Sequence, residues 1–281
     1  MNQSMPKPAR SNLQQRVLSG IVLIVLALAL TFAGGIWYRL LAAAISGAVL
    51  YEWLAMTSAT QPASNRWVAV GFLAILLILL VTGQPASFLL PVLVGAVLVV
   101  LAHASRVEAS YWTMAGLAYA GLLGIALASL RGDDSAGLQA TLFLFAVVWA
   151  TDILAYFTGR SIGGPKLAPA ISPGKTWSGA VGGTIAAVLA GLGVAYGFSS
   201  PLGWVAFAGL TLVLSVVSQA GDLFESWIKR RFGVKDSSNL IPGHGGVMDR
   251  VDGLATAAFI LFALGALLAG PDHPAAAFFG N

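Results

Sequence analysis

The densest group of ionisable side chains in this sequence lies in residues 226–252, between two long apolar segments. Basic residues stand there close to carboxylates, and a His-Gly-Gly bend separates the two parts of the group. Its members are Lys229, Arg230, Arg231, Lys235, Asp236, Asp249, Arg250 and Asp252. Such a cluster adds nothing to the stability of a membrane span. Cations beside carboxylates suit a phosphate-rich substrate that carries a metal ion at the membrane surface.

Three carboxylates have the spacing expected of a metal site. Asp249 and Asp252 are three residues apart and share a helical face, and Asp222 ends the preceding apolar segment. Oxygen ligands of this kind suit Mg²⁺, which takes one or two carboxylates together with phosphate oxygens and water. Zinc is not expected, because the chain has no cysteine and its three histidines are far apart.

The residues around these carboxylates are suited to holding anions. Asp222, Ser226 and Lys229 share one helical face, although Lys229 would also serve simply as an ion-pair partner that closes the helix end. The glycines of the bend can aim several backbone N–H groups at one anion. His244 in this bend is either a turn residue or a donor to phosphate, and the sequence leaves both open.

A second anion site is expected at residues 172–176, Ser-Pro-Gly-Lys-Thr. Ser172, Lys175 and Thr176 directly precede an apolar segment, where the free N–H groups and dipole of a helix favour an anion. A P-loop is excluded, because Pro169 stands where its first glycine is required and no strand is expected before it. Asp152 lies well inside an apolar segment and is expected to line a nucleotide pocket or to pair with a cation.

The composition is that of an integral membrane protein. Hydrophobic residues make up 58% of the chain and charged residues 9%, against about 25% charged in an average soluble domain. A membrane-spanning helix needs about 20 apolar residues, and nine apolar segments of the chain come close to this length, so the sequence predicts nine transmembrane helices. Strands of a membrane β-barrel would be shorter, and their apolar and polar residues would alternate. The predicted spans are 17–35, 37–56, 67–83, 86–102, 111–130, 137–158, 178–198, 203–225 and 253–270. The expected fold is therefore an all-α polytopic membrane protein.

The distribution of positive charge predicts the orientation. With the N-terminus in the cytoplasm, all Lys and Arg residues except Arg39 and Arg131 fall on the cytoplasmic side. The net charge of +4 reflects this asymmetry. Nucleic acid is not an expected partner, because no basic stripe is interleaved with exposed aromatic residues.

The polar residues divide the chain into four parts. Residues 1–16 form a polar segment, 17–136 a scaffold of about five helices, 137–270 a catalytic region with about four helices and two cytoplasmic loops, and 271–281 a tail. Glu52 is an exception within the scaffold. We expect it to be paired or to reach the interface.

The charged segment resembles the signature of phosphatidate cytidylyltransferases, also called CDP-diacylglycerol synthases. The matching positions are Ser226, Ile228, Lys229, Arg230, Lys235, Asp236, Ser238, Ile241, Pro242, His244, Gly245, Gly246, Asp249, Arg250 and Asp252. Residues 166–183 also resemble a second block of this family, with Ser178 in place of an expected Glu or Gln. The resemblance covers residues 137–270, and the first five spans agree in hydropathy alone.

This resemblance implies a membrane enzyme that makes CDP-diacylglycerol and pyrophosphate from CTP and phosphatidate, with a divalent cation such as Mg²⁺. It implies metal binding at Asp222 and Asp249, to which the spacing adds Asp252. Lys229, Lys235, Asp249 and Arg250 are the expected catalytic residues. The expected substrate-binding residues are Asp152, Ser172, Lys175, Thr176, Ser226, Arg230, His244, Gly245 and Gly246. The expected location is the bacterial cytoplasmic membrane with the active site on its inner face, and the sequence leaves open whether the chain forms a homodimer.

Three other functions would draw on some of the same features. A CTP-dependent lipid or polyprenol kinase would use the same nucleotide and differ in its products. A CDP-alcohol phosphotransferase would need a core motif that is absent, because Asp252-Gly253 continues as Leu-Ala-Thr. A transporter would place its carboxylates across the membrane rather than gather them on one side.

Overall fold

A computed structural model describes residues 12–241 and 243–280, with side chains from residue 17 onward. Lys7, Arg10 and Pro242, which entered the predictions above, lie outside the described residues. The helices are α1 (Asn12–Ala33), α2 (Gly35–Thr57), α3 (Ala63–Val81), α4 (Ala86–Arg106), α5 (Trp112–Arg131), α6 (Ser135–Ile162), α7 (Trp177–Gly197), α8 (Trp204–Arg231), α9 (Met248–Ala269) and α10 (Ala276–Phe279). One turn of 3₁₀ helix, Ser58–Thr60, follows α2, and strands β1 (Lys166–Ala168) and β2 (Ser172–Thr176) lie between α6 and α7.

Each of the nine predicted spans is a helix in the described part of the chain. Eight of them, α2 to α9, are long and apolar enough to cross a membrane, and the described apolar part of α1, Val17–Ala33, is shorter. The prediction of an all-α polytopic membrane protein is confirmed. The helices α6, α8 and α9 extend beyond their predicted spans toward the charged segments, so the candidate site is built on helix ends.

The helices alternate in direction, as the charge pattern predicts. Connections predicted on the outer side meet at one end, where Arg39 Nη2 lies 3.0 Å from Asp133 Oδ2. Connections predicted on the inner side meet at the other end, where the guanidinium of Arg231 lies 5.5 Å from the ring centroid of Trp112. The charged segments of the second half therefore share one end of the bundle.

Helices α6 and α7 pack closely against each other, and small residues make this proximity possible. A buried stripe along α7 repeats every four residues and consists of Gly179, Gly183, Ala187, Gly191 and Ala195. A Cβ on Gly183 would lie 2.6 Å from the carbonyl oxygen of Thr151 on α6. Stripes of this kind let helix backbones approach closely in lipid, where apolar burial alone does not hold helices together. The packing fixes Asp152 on α6 relative to the start of α7.

Helix α9 joins the two halves of the bundle. It packs against α8, with Gly221 of α8 facing Thr256, and against α5, where Phe259 meets Tyr119 edge to face at 5.3 Å. The carboxylates of α8 and α9 are therefore brought together by direct helix contact.

The segment between α6 and α7, which we expected to be a loop, contains an antiparallel hairpin. Lys166 pairs with Thr176 and Ala168 with Ser172. The hairpin ends at Thr176, which is the N-cap of α7 and whose hydroxyl accepts a hydrogen bond from Gly179 N at 3.1 Å. The cap joins the hairpin rigidly to α7, and so fixes Lys175 next to the helix N-terminus.

Candidate functional site

A polar cavity of about 700 Å³ opens between α6, the hairpin, and the ends of α7, α8 and α9. The chargeable side chains along its wall come from four separate segments of the chain. They are Asp152, Arg160, Lys166, Lys175, Asp222, Asp249, Arg250 and Asp252. The fold thus brings seven of the predicted site residues to one place, namely Asp152, Lys175, Thr176, Asp222, Asp249, Arg250 and Asp252.

Three carboxylates in this cavity lie close enough to repel one another. The charge of Asp222 acts on both Asp152 and Asp252, and Asp152 also acts on Asp252. Lys175 offsets part of this repulsion, with its Nζ 2.5 Å from Asp222 Oδ2. An excess of negative charge in a low-dielectric site is costly without a cation.

Asp249 is held differently, because donors surround both of its oxygens. Oδ1 accepts from Lys229 Nζ at 2.6 Å, and Oδ2 accepts from the Ser237 hydroxyl and from the backbone N–H groups of Ser237 and Gly246 at 2.8 to 2.9 Å. Its carboxylate organises the loop between α8 and α9. To bind a cation as well, Asp249 would have to exchange one of these donors.

Lys229 is turned toward carboxylates inside the protein. Its Nζ lies 2.6 Å from Asp249 and 3.0 Å from Glu225, whose side chain is fully buried. The simpler interpretation of Lys229, as an ion-pair partner at the helix end, therefore describes part of its role. The same contact also fixes α8 against the start of α9, where Asp249 and Asp252 stand.

The donor set of the cavity fits a divalent cation that is shared with a substrate. Among residues 12–241 and 243–280, no three acidic or histidine side chains are close enough to enclose a metal ion by themselves. Mg²⁺ does not need such a cage, since one or two carboxylates suffice when phosphate oxygens and water complete the shell. Asp222 and Asp252 satisfy this requirement with oxygen ligands alone.

The His-Gly-Gly bend is a tight turn that leads into α9. Gly243 and Gly245 have φ of +78° and +84°, which side chains disfavour. A Cβ on Gly246 would collide with Ser237 and Glu52. The guanidinium of Arg250 donates to the carbonyl oxygen of His244 at 2.9 and 3.2 Å. Gly245 and Gly246 thus serve the packing of the turn, and Arg250 is directed by it.

Glu52 holds this turn from the other half of the molecule. Its side chain is completely buried, and it accepts from the Ser238 hydroxyl at 2.6 Å. The Ser237 hydroxyl lies 3.0 Å from Glu52 and 2.9 Å from Asp249, and its one proton is shared between the two carboxylates. Glu52 also accepts from the N–H groups of Val247 and Met248 at 2.8 and 2.7 Å, at the first turn of α9. The expected scaffold therefore supplies one side chain that organises the site. Of the two alternatives for Glu52, pairing is the one that the structure shows, and its partners lie too far along the chain to be identified from the sequence.

The other predicted site residues lie around the cavity rather than in its wall. Ser226 donates to Asp222 Oδ1 at 3.4 Å, and Arg230 donates to the carbonyl oxygen of Ile171, which ties α8 to the hairpin. Lys235 is exposed on the loop after α8. Ser172 pairs with Ala168 in the hairpin, at the strand end away from Thr176. Ser226 and Arg230 therefore hold other parts of the site in position and do not line its cavity.

Two further predicted positions have structural partners. Thr176 is buried as the cap of α7, so its hydroxyl is engaged within the protein. Ser178, where a longer residue was expected, donates to the carbonyl oxygen of Gly163 and contacts the Thr176 hydroxyl at 3.1 Å. A serine at this position therefore closes the hairpin onto the end of α6.

Several cavity residues were not among the predicted site residues. Arg160 and Lys166 add positive charge, and Arg160 Nη1 donates to the hydroxyl of Tyr156 at 3.0 Å. Gln219 lines the wall one turn before Asp222. The sequence does predict that Lys166 adds positive charge to the anion site, because it lies nine residues before Lys175, but only the hairpin reveals that it faces the carboxylates.

Comparison with known proteins agrees with this arrangement. A family model described as cytidylyltransferase family matches residues 14–268, which is most of the chain. The chain belongs to the cytidylyltransferase family. Members of this family are nucleotidyltransferases, so the cavity of this cytidylyltransferase is its candidate active site.

Relatives from several bacteria match along nearly their whole length. A phosphatidate cytidylyltransferase of Brucella suis biovar 1 (strain 1330) is 49% identical over 269 residues, covering 96% of this chain and 99% of the relative. Those of Haemophilus influenzae and Bacillus subtilis (strain 168) are 37% and 32% identical, covering 87% and 86% of this chain and 96% and 93% of the relatives. The resemblance in the charged segment thus extends to the first five helices.

Proposed function

We propose that this protein transfers the cytidylyl group of CTP to phosphatidate and releases CDP-diacylglycerol and pyrophosphate. The observation that carries the proposal is the polar cavity at one end of a membrane-spanning bundle. In it, four carboxylates face four cationic side chains from the hairpin, α6 and α9. The names of the relatives supply the two substrates. The reaction would belong to phospholipid biosynthesis.

The cationic side chains suit the triphosphate of CTP. Lys166 and Lys175 of the hairpin, Arg160 of α6 and Arg250 of α9 approach the cavity from different directions. Positive groups fixed in place before the reaction stabilise charge that develops on the leaving pyrophosphate. They also reduce the repulsion between the two anionic substrates, which is the main obstacle to this reaction.

The transfer needs little proton chemistry. A phosphate oxygen of phosphatidate bonds to the α-phosphorus of CTP, while the bond from that phosphorus to the oxygen bridging to the β-phosphate breaks. Pyrophosphate leaves with the electron pair of the broken bond. The attacking oxygen is already anionic at neutral pH, so alignment and charge neutralisation provide most of the catalysis.

Asp222 and Asp252 are the residues that would hold Mg²⁺, and Asp249 would join them by exchanging its contact with Lys229. The ion would supply charge neutralisation for the phosphates when bound. Lys175 would then be released from Asp222 toward the nucleotide.

We place the cavity on the cytoplasmic face of the bacterial inner membrane. The proposal follows from the excess of Lys and Arg among the connections at that end. CTP would enter from the cytoplasm while the acyl chains of phosphatidate stay in the bilayer. A homodimer is compatible with this placement, because the cavity is formed within one chain.

The position of a radioactive phosphorus atom tests the reaction. Purified protein in phosphatidate-containing nanodiscs with Mg²⁺ would receive CTP labelled at either the α- or the γ-phosphorus. We expect the α-label in the lipid fraction and the γ-label in pyrophosphate. A γ-label in lipid would identify a lipid kinase, and label in neither would overturn the proposal. Phosphatidylcholine nanodiscs without phosphatidate provide the control.

A further inference from the structure

A second cavity, of about 540 Å³, lies between α1, α2, α6 and α9. Its wall is mainly aliphatic, and small residues leave the space open. Leu23 and Ala27 of α1 face it from one side, Ala44 and Ala48 of α2 from another, and Leu254 of α9 from a third. The volume falls in the range of about 300–1,000 Å³ of pockets that bind organic ligands.

The apolar cavity and the polar cavity share one residue, Arg250. Its side chain contributes to the wall of both. His244, whose carbonyl oxygen holds the Arg250 guanidinium, also lines the apolar cavity, and its Nδ1 lies 2.7 Å from Ser19 Oγ of α1. The cavity therefore has an apolar body and one polar end, and the polar end borders the candidate active site.

The cavity extends along the helices away from the candidate active site. Its lining on α2 runs from Ala48, near the middle of that helix, to Tyr38, which is next to Arg39 at the opposite end of the bundle. These ten residues extend about 15 Å along a helix, so a hydrocarbon chain that starts beside Arg250 meets an apolar wall through most of the depth of the bundle. Helix α1 forms one side of the cavity, and its Val22 and Val25, which do not line it, are 54% and 59% exposed.

We propose that this cavity binds one acyl chain of the lipid substrate, with the phosphate of that lipid placed beside Arg250. The inference rests on the proposed function, since it identifies where the second substrate of the same site lies. The apolar body suits a hydrocarbon chain, and the cationic end suits a phosphomonoester. A lipid bound in this way presents its phosphate to the cavity that receives CTP, while its other chain remains in the bilayer.

Two alanines on α1 provide a matched pair of substitutions. Ala27 lines the cavity, whereas Ala29 is exposed and is not part of its wall. We expect Ala27→Phe to fill the space and to raise the KM for dioleoyl phosphatidate at least tenfold, with the KM for CTP within twofold of wild type. Ala29→Phe, which adds the same ring toward the lipid, should leave both constants unchanged. Equal effects of the two substitutions on phosphatidate would overturn the proposal.

Substrates with acyl chains of different length distinguish a blocked cavity from a damaged catalytic site. Dihexanoyl phosphatidate fills little of the cavity, so Ala27→Phe should process it within threefold of the wild-type rate. An equal loss with short and long chains would mean that the substitution disturbs the catalytic residues and would contradict the inference. A wild-type protein that makes no CDP-lipid from either substrate would refute the proposed function, and the binding experiment below would still test the cavity.

Photocrosslinking tests the occupant in the unaltered protein. Phosphatidate with a diazirine on one acyl chain would be irradiated with the wild-type protein, and the labelled peptides identified by mass spectrometry. We expect labels on α1 and α2 at the lining residues, and competition by unlabelled phosphatidate but not by phosphatidylcholine. Labels confined to the outer faces of the helices, or lost equally to phosphatidylcholine, would show bulk lipid contact and would overturn the inference.

Discussion

Glu52 acts on the candidate site without lining it. Its two oxygens accept hydrogen bonds from two hydroxyls of the α8–α9 loop and from two N–H groups at the start of α9. A carboxylate at a helix N-terminus is stabilised by the free N–H groups and the helix dipole. Because Asp249 and Arg250 follow directly, the position of Glu52 controls where these side chains point.

Replacing Glu52 with alanine should destabilise the protein and impair transfer. The change leaves the N–H groups of Val247 and Met248 without an acceptor, which costs about 1–3 kcal/mol for each unsatisfied group. We expect a lower thermal unfolding midpoint in detergent and a kcat reduced at least tenfold. Glu108, an acidic residue of the α4–α5 connection, provides the control as Glu108→Ala, which should change neither. An unaltered midpoint for Glu52→Ala would contradict the role assigned to this carboxylate.

At the scale of single residues, the sequence predicted the charged members of the cavity better than their partners. The spacing of Asp249 and Asp252 and the charge pattern around Lys175 identified side chains that do line the cavity. Glu52 and Ser237, which contact each other, are 185 residues apart in the sequence. A local sequence pattern cannot predict such a contact. The saturation of Asp249 by loop donors is likewise a product of the folded loop.

At the scale of helices, the contact between α6 and α7 positions Asp152 relative to the hairpin. Gly159 and Gly179 face each other across this contact, and Gly183 lies one turn further along α7 against the backbone of Thr151. The hairpin is fixed to the first turn of α7 through Thr176. Any widening between these helices would therefore move Lys175 away from Asp152.

Substitution of Gly183 by leucine should separate α6 and α7. A Cβ at this position already approaches the Thr151 carbonyl oxygen to 2.6 Å and Ala155 Cβ to 2.9 Å. Overpacking of this kind costs about 1–3 kcal/mol or more. We expect a lower unfolding midpoint and a loss of most cytidylyl transfer. Gly193→Leu on the same helix is the control, because a Cβ there meets nothing within 4 Å, and a comparable loss in that variant would disprove the packing argument.

Helix positions were predictable from hydropathy, but helix ends were not. The last span was predicted to begin at residue 253, whereas α9 begins at Met248 because Glu52 accepts from its first N–H groups. The hairpin between α6 and α7 has no apolar alternation that would distinguish it from a loop. Both features depend on contacts between segments that are distant in sequence.

At the scale of the whole molecule, the fold separates the candidate site from the opposite end by the length of α6. This helix has 28 residues and is therefore about 42 Å long. Asp133, just before it, contacts Arg39, and its last turn carries Arg160 of the polar cavity. An asymmetric distribution of Lys and Arg then orients the whole bundle in the membrane.

The orientation can be measured with single cysteines, because the natural chain has none. Ala170 is exposed in the hairpin turn, and Gln84 is exposed between α3 and α4 at the other end. In intact spheroplasts, an impermeant maleimide should label Gln84→Cys and spare Ala170→Cys. In inverted vesicles the pattern should reverse. Labelling of both positions from the same side would contradict the alternation of the helices.

The central claim is that the carboxylates of α8 and α9 and the lysines of the hairpin form one cation-dependent site for the triphosphate of CTP. Equilibrium binding of CTP to the purified protein across a range of Mg²⁺ concentrations tests it most directly. We expect tight binding only with Mg²⁺, and a Kd raised at least tenfold, or about 1.4 kcal/mol, in Asp222→Asn. Asp133→Asn, at the far end of the bundle, should bind CTP as the wild type does. Unchanged Mg²⁺-dependent binding by Asp222→Asn would contradict the account.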